Sequence, residues 1–128
     1  MPSVTDVCGV TRVFETIDEM KADEYASYFA ADARFRFGNA EPIVGRQPIQ
    51  DAMVVFFSTI KGLRHEVVGV WEGEWAQGDV YSVETEVTYT RTDDEVLSRP
   101  ATSTMRMYGV LIQDWRIFAD ISPVYEVR

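Results

Sequence analysis

The stretch Pro48–Trp71, "PIQDAMVVFFSTIKGLRHEVVGVW", changes its hydrophobic period halfway along. Before Gly62, the residues Ile49, Met53, Phe56, Phe57 and Ile60 recur at helical spacing, and Pro48 stands where the first turn of a helix needs no N–H. Gly62 stops that helix. Beyond it the period falls to two, and His65–Glu72 reads as a strand. The same period carries Asp79–Arg91, Ala101–Ile112 and Asp114–Ser122, with turns at Gly73–Gly78 and Asp93-Asp94. Working back toward the N-terminus, Val7, Val10, Val13, Phe14 and Ile17 form one face of a helix over about Thr5–Lys21. Asp6, Glu15, Asp18 and Glu19 occupy much of its other face, and Ser3-Val-Thr-Asp6 reads as a capping box. "ADEYASYFA" is a shorter helix, "ARFRFGN" a short strand, and "EPIVGRQP" a loop. Helices first and strands afterwards predict an α+β fold, a curved antiparallel sheet with its helices on one face. No repeat, low-complexity run or linker divides residues 1–128, so one domain is expected.

Composition narrows the function classes. The net charge of −9 opposes binding to phosphate backbones and anionic lipid, and no basic patch or nucleic-acid motif offsets it. No apolar run approaches the roughly 20 residues of a membrane span, and "MPSVTDVCGV" does not read as a signal peptide, so cytoplasmic residence is expected. Cys8 is the single cysteine and can form neither an internal disulfide nor a zinc cluster. No nucleophile elbow, P-loop, dinucleotide fingerprint or metal-ligand spacing occurs, so neither metal nor cofactor is expected.

The candidates for chemistry are scattered. Period two puts Ser82, Glu84, Glu86 and Thr88 on one face of their strand and Tyr81, Val83, Val87 and Tyr89 on the other. Thr102, Thr104, Arg106, Tyr108 and Val110 share a face of the next strand. A hairpin turn near Asp94-Glu95 would bring Arg106 opposite Glu84 or Glu86. Such a cluster is either the solvated face of the hairpin, with the Tyr/Val face as core, or a pocket group with shifted pKa values. His65, the single histidine, is either a hydrogen-bonded strand residue or a catalyst. In "DWRIFADISPVYE", Asp120 shares a face with Phe118 and lies between Ala119 and Ile121, a setting that suits a structural carboxylate or a functional one equally.

The order of helix, short helix, "YFAADARFRFGN", a Gly-Arg before the third helix, "LRHEVVGVW" and "WRIFADISPVYE" resembles the nuclear transport factor 2-like superfamily. Within it, the SnoaL-like polyketide cyclases and limonene epoxide hydrolases are most similar. The resemblance implies a cone, with a bent sheet wrapped around three N-terminal helices and a deep apolar pocket between them. It also implies a homodimer packed through the outer sheet face. By it, Glu84, Glu86, Arg106, Tyr108 and Asp120 point into the cone, His65 is directed into the pocket, and the Tyr81/Val83/Val87 face meets a partner subunit. Phe14, Ile17, Phe35, Phe37, Met53 and Phe57 supply apolar walls, and Val110 and Phe118 join them from the Arg106 and Asp120 faces.

Some family residues are replaced. Asp120 matches the terminal Asp of the epoxide hydrolases, but Phe35 and Phe37 stand where those enzymes hold water with Tyr and Asn, and Glu84-Thr85-Glu86 replaces their Arg-x-Asp. Against the ketosteroid isomerases, Phe37 falls at the base and Ser103 near the oxyanion-hole Asp. What the resemblance leaves is a cofactor-free acid/base enzyme for a small apolar molecule, performing epoxide opening, cyclisation, isomerisation or dehydration. Asp120 is then the acid or base, Glu84 or Glu86 its opposite number, and Arg106 and His65 orienting groups. The alternatives are a non-catalytic small-ligand-binding module and a dimerising accessory domain. An outward-facing Asp120 would count against the enzyme reading.

Overall fold

The computed structural model describes residues 7–126. The capping box at Ser3–Asp6 and the Cys8 side chain lie outside the described parts. Helix α1 spans Val7–Asp18 and α2 spans Ala22–Ser27. Strands β1 (Phe29–Phe37) and β2 (Ile43–Val44) precede α3 (Arg46–Ser58). Four longer strands follow, β3 (Gly62–Trp75), β4 (Gly78–Thr90), β5 (Val96–Tyr108) and β6 (Leu111–Phe118), before a last turn of helix, α4 (Ser122–Tyr125). The strands form one curved, unclosed sheet in the order β2-β1-β6-β5-β4-β3, with the helices on its concave side. Every pairing is antiparallel except β1 with β6.

The end of α1 positions a carboxylate. The Met20 N–H donates to the Ile17 carbonyl and the Lys21 N–H to that of Thr16, while Met20 takes a positive φ of 57°. This is a Schellman stop, built here without glycine, and it fixes the last helical residue, Asp18, against β3. Pro48 sits in the third position of α3, still within the turn whose N–H groups lack intrahelical partners.

The concave face is apolar. Val10, Val13 and Phe14 of α1 meet Tyr25, Phe29, Ile49, Val83, Met105, Met107, Ile112 and Trp115 in one buried core. A second, smaller cluster joins Ile60, Val87, Tyr89, Ala101 and Val124 near α4. The Tyr81/Val83/Val87 face therefore points inward, opposite to what the family resemblance implies, and Glu84 and Glu86 point to solvent. Burying each of these apolar side chains contributes about 1.5–3 kcal/mol, whereas desolvating two adjacent glutamates would cost several.

Hairpin register moves the other residues. The β4–β5 turn closes tightly, with the Arg91 N–H bonded to the Glu95 carbonyl and Asp94 at φ 69°. Arg106 consequently faces Val80, while Glu84 faces Thr102 and Glu86 faces Pro100. The expected strand Ala101–Ile112 is cut by a turn at Gly109 (φ 59°) and Val110, and the register slips between Arg106 and Met107. Tyr108 and Val110 end up exposed at the tip of that hairpin.

Candidate functional site

Between the helices and the sheet lies a cavity of about 260 Å³, walled by side chains from nearly every element. Phe14, Ile17, Phe35, Phe37 and Met53 border it, as does His65. Phe57 is in the adjacent core but not in the wall. The wall contains no Lys, Arg, Asp or Glu; its polar groups are His65, Thr85, Ser103, Trp115 and three tyrosines, Tyr25, Tyr89 and Tyr125. In such surroundings few polar atoms set the chemistry, and each one counts.

His65 has the most developed setting. Its backbone N–H donates to both carboxylate oxygens of Asp18, at 3.1 and 2.9 Å, and its ring Nδ1 lies 2.6 Å from Asp18 Oδ1. Both side chains are largely shielded, 11% and 25% exposed, and the imidazole packs on Phe14 at 5.1 Å between ring centroids. An ionised carboxylate can only accept, so Nδ1 carries the proton and Nε2 is left as the ring's basic nitrogen. A carboxylate that holds a histidine in one tautomer and balances the imidazolium that forms is the arrangement of a general base.

Two further wall features stand out. Trp115 is fully buried, and no acceptor among the described residues reaches its Nε1. An orphaned buried donor costs about 1–3 kcal/mol. Burial, with the neighbouring Tyr125 adding to it, pushes the Tyr89 hydroxyl up to about 12, and burial also raises that of Tyr25. At neutral pH both are phenols.

The other residues named from the sequence do not reach the cavity. Asp120 is exposed, and its Oδ1 accepts the Ser122 N–H at 3.0 Å, closing the turn that starts α4. That bond, with the Ser122 side chain, holds its carboxyl below the usual range, so Asp120 is an ionised cap rather than a proton donor. It borders an outer cleft with Arg36, Arg116 and the exposed Phe118, and that cleft shares Phe37, Ile117, Ile121 and Tyr125 with the cavity wall. Arg106 pairs with Asp114 at 3.1 Å on the convex face, where Arg116 shares the same carboxylate. Glu84, Glu86, Tyr108 and Val110 are also outside the cavity wall. Of the expected polar site group, His65 alone remains, and its partner Asp18 belongs by helical period to the polar face of α1. The available signal is the i, i+4 spacing of Phe14 and Asp18, which puts the carboxylate at the border of the apolar stripe. Among the described residues no group of three or more His, Cys, Asp or Glu could hold a metal ion, and no helix is long and apolar enough to cross a membrane.

Solved structures with this architecture are numerous. A Catenulispora acidiphila protein of ketosteroid isomerase-like fold, in complex with trimethylamine, has a TM-score of 0.78 at 14% identity, over 90% of this chain and 87% of that one. A second C. acidiphila protein, in complex with S-DNPA, has a TM-score of 0.69 at 25% identity, over 91% and 92%. A protein of Jannaschia sp. CCS1 assigned as a SnoaL-like polyketide cyclase has a TM-score of 0.70 at 16% identity, over 91% and 88%. A search of curated proteins found no match. The model of the SnoaL-like domain matches residues 10–115, from the first buried turn of α1 to the tryptophan of β6. The chain belongs to the SnoaL-like domain family.

Proposed function

We propose that this protein is a cofactor-independent acid/base enzyme for a small apolar molecule, with His65 as the proton-transferring group and Asp18 as the residue that orients it. The observation that carries this reading is His65 in the wall of a mostly apolar cavity, with Asp18 bonded to its Nδ1. The outward Asp120 counts against the version of the enzyme built on that residue, and the acid/base role passes to His65. Nε2 of His65 would take a proton from an acidic C–H or an attacking water and return it to the product, with Asp18 stabilising the imidazolium meanwhile. Two C. acidiphila proteins of this fold form complexes with small molecules, trimethylamine and S-DNPA, which supports a small-molecule ligand here.

Proton transfer can be tested without the natural substrate. In D2O, 2-tetralone should acquire deuterium beside its carbonyl faster with the protein than without it. Replacing His65 with Gln should reduce that acceleration by ~10²–10⁴. If tetralone binds and neither it nor styrene oxide is processed faster than in buffer, the non-catalytic ligand-binding reading replaces this one.

A homodimer through the convex sheet face belongs to the same proposal, by different residues from those expected. Trp71 and Phe118 are 57% and 59% exposed there. Arg34, Arg36, Arg106 and Arg116 with Asp114 lie toward the β1 side and Glu66, Glu84 and Glu86 with Arg64 toward β3, so a copy turned by 180° would oppose a net basic edge to a net acidic one. Sedimentation should give a dimer that Trp71→Arg dissociates; a monomeric wild type removes this part.

A further inference from the structure

We infer that the ligand of the apolar cavity carries a carboxylate, which Arg36 and Arg116 hold in the cleft outside the cavity. The inference rests on the proposed small-molecule role of the cavity and adds a polar subsite to it. The outer cleft, of about 680 Å³, shares Phe37, Ile117, Ile121 and Tyr125 with the cavity wall, so the two spaces adjoin along those side chains. A molecule seated against them meets hydrocarbon on the cavity side and two guanidinium groups on the cleft side. Strand alternation builds this boundary. Phe37 and Ile117 face the cavity, and their neighbours Arg36 and Arg116 are exposed on the other face.

The two arginines are opposite one another in the β1–β6 ladder, on strands about 4.8 Å apart. Like charges at that spacing repel, and an anion between them relieves the repulsion. Both have donors to spare. The Arg36 Nε donates to the Ala40 carbonyl at 3.1 Å and the Arg116 Nε to Asp114 at 3.1 Å. Those bonds fix the two stems and leave the terminal nitrogens, which have no partner among the described residues. Asp120, the carboxylate of the cleft, is taken up by the Ser122 N–H at 3.0 Å. Two arginines less one aspartate leave the cleft one net positive charge. A carboxylate neutralises it, whereas a doubly charged phosphate would exceed it, and a guanidinium fork matches the two carboxylate oxygens. At this end β1 is the edge of the sheet, because β2 pairs only with Arg34 and Phe35. The arginines therefore stand at the rim of the dimer face proposed above, where side chains stay in water.

The test compares 4-(2-naphthyl)butanoic acid with its neutral amide, which has the same apolar body. Calorimetry at low ionic strength should show wild type binding the acid about threefold to tenfold more tightly, a comparison that needs no variant to fold. The net charge of −9 works against any anion, so a preference for the acid reports a local site. Added salt should erase most of that preference. The double variant Arg36→Gln/Arg116→Gln should lose it and still bind the amide as wild type does. Asp120→Asn, which removes the opposing charge of the cleft, should enlarge it. Equal affinity for acid and amide in wild type overturns the inference and leaves the cavity reading standing. Failure of the acid, the amide and 2-tetralone alike to bind overturns both. A preference that persists in the double variant, with its melting curve still cooperative, places the carboxylate elsewhere and refutes the role of the two arginines.

Discussion

Replacing Asp18 with Asn should invert the tautomer of His65. The carboxylate accepts three hydrogen bonds from one residue, two from the backbone N–H and one from Nδ1–H. The backbone N–H is a fixed donor, so one end of any replacement must accept it. If the Asn oxygen occupies the Oδ1 position, its NH2 group is pressed against that N–H at the 2.9 Å Oδ2 site. The alternative places the oxygen at Oδ2 and lets the amide donate to Nδ1, which forces the ring proton onto Nε2. The second arrangement satisfies every donor and should prevail. It trades charge-assisted bonds for neutral ones, so stability should fall by about 1–2 kcal/mol, or roughly 3–6 °C in Tm. Because the chain contains one histidine, ¹⁵N-histidine labelling yields a single imidazole spectrum. In its neutral imidazole the wild type should carry the proton on Nδ1 and the Asn variant on Nε2, with the acceleration of deuterium exchange lost. A variant that keeps the Nδ1–H form, or an unperturbed mixture of tautomers in the wild type, would refute the reasoning about how Asp18 acts.

Glu84→Gln and Glu86→Gln should each leave stability within about 0.5 kcal/mol of wild type and proton exchange unchanged, because both side chains are in solvent. Asp120→Asn should lower Tm slightly, by weakening the cap on Ser122, and leave exchange intact; loss of exchange would return Asp120 to the site. Gly78→Ala should cost about 1–3 kcal/mol in a denaturant titration, since a Cβ there would lie 2.7 Å from the Met107 carbonyl, a backbone atom that cannot turn aside. Stability should also fall in strong alkali. The folded state holds Tyr89 neutral up to about 12 against about 10 when unfolded, so its contribution is complete below pH 10 and is lost between 10 and 12, on the order of 2 kcal/mol. Tyr89→Phe should flatten that limb of a pH–stability curve.

The sequence carried the architecture further than the site. The switch in period at Gly62 separates the last long helix from the strands, and the apolar stripe of α1 is read directly from Val10, Val13, Phe14 and Ile17. Face assignment was legible too. Reading Tyr81, Val83 and Val87 as core follows from burial alone, and that elementary reading prevails over the family geometry. Register was not legible. A hairpin turn centred earlier than Asp94-Glu95 and the slips at Val67/Gly69 and Arg106/Met107 move side chains by more than a contact distance, and although Gly69 marks the first slip as a bulge, no residue type fixes the size of the shift. Nor could the pairing of Asp18 with His65 be read, since it joins residues 47 apart through a helix stop at Met20 that uses no glycine. Asp120 misled for a related reason: its apolar neighbours Ala119 and Ile121 pack toward the smaller core cluster while its own carboxylate turns back to cap Ser122.

Whether one apolar cavity brings a small molecule to the basic nitrogen of His65 is open to a single measurement. ¹⁵N-histidine-labelled protein would be titrated with 2-tetralone at neutral pH. The Nε2 resonance should shift saturably, with Nδ1 remaining protonated against Asp18 and the bound ketone exchanging its adjacent protons with solvent. Saturable binding that leaves both imidazole nitrogens unmoved would contradict the assignment of His65.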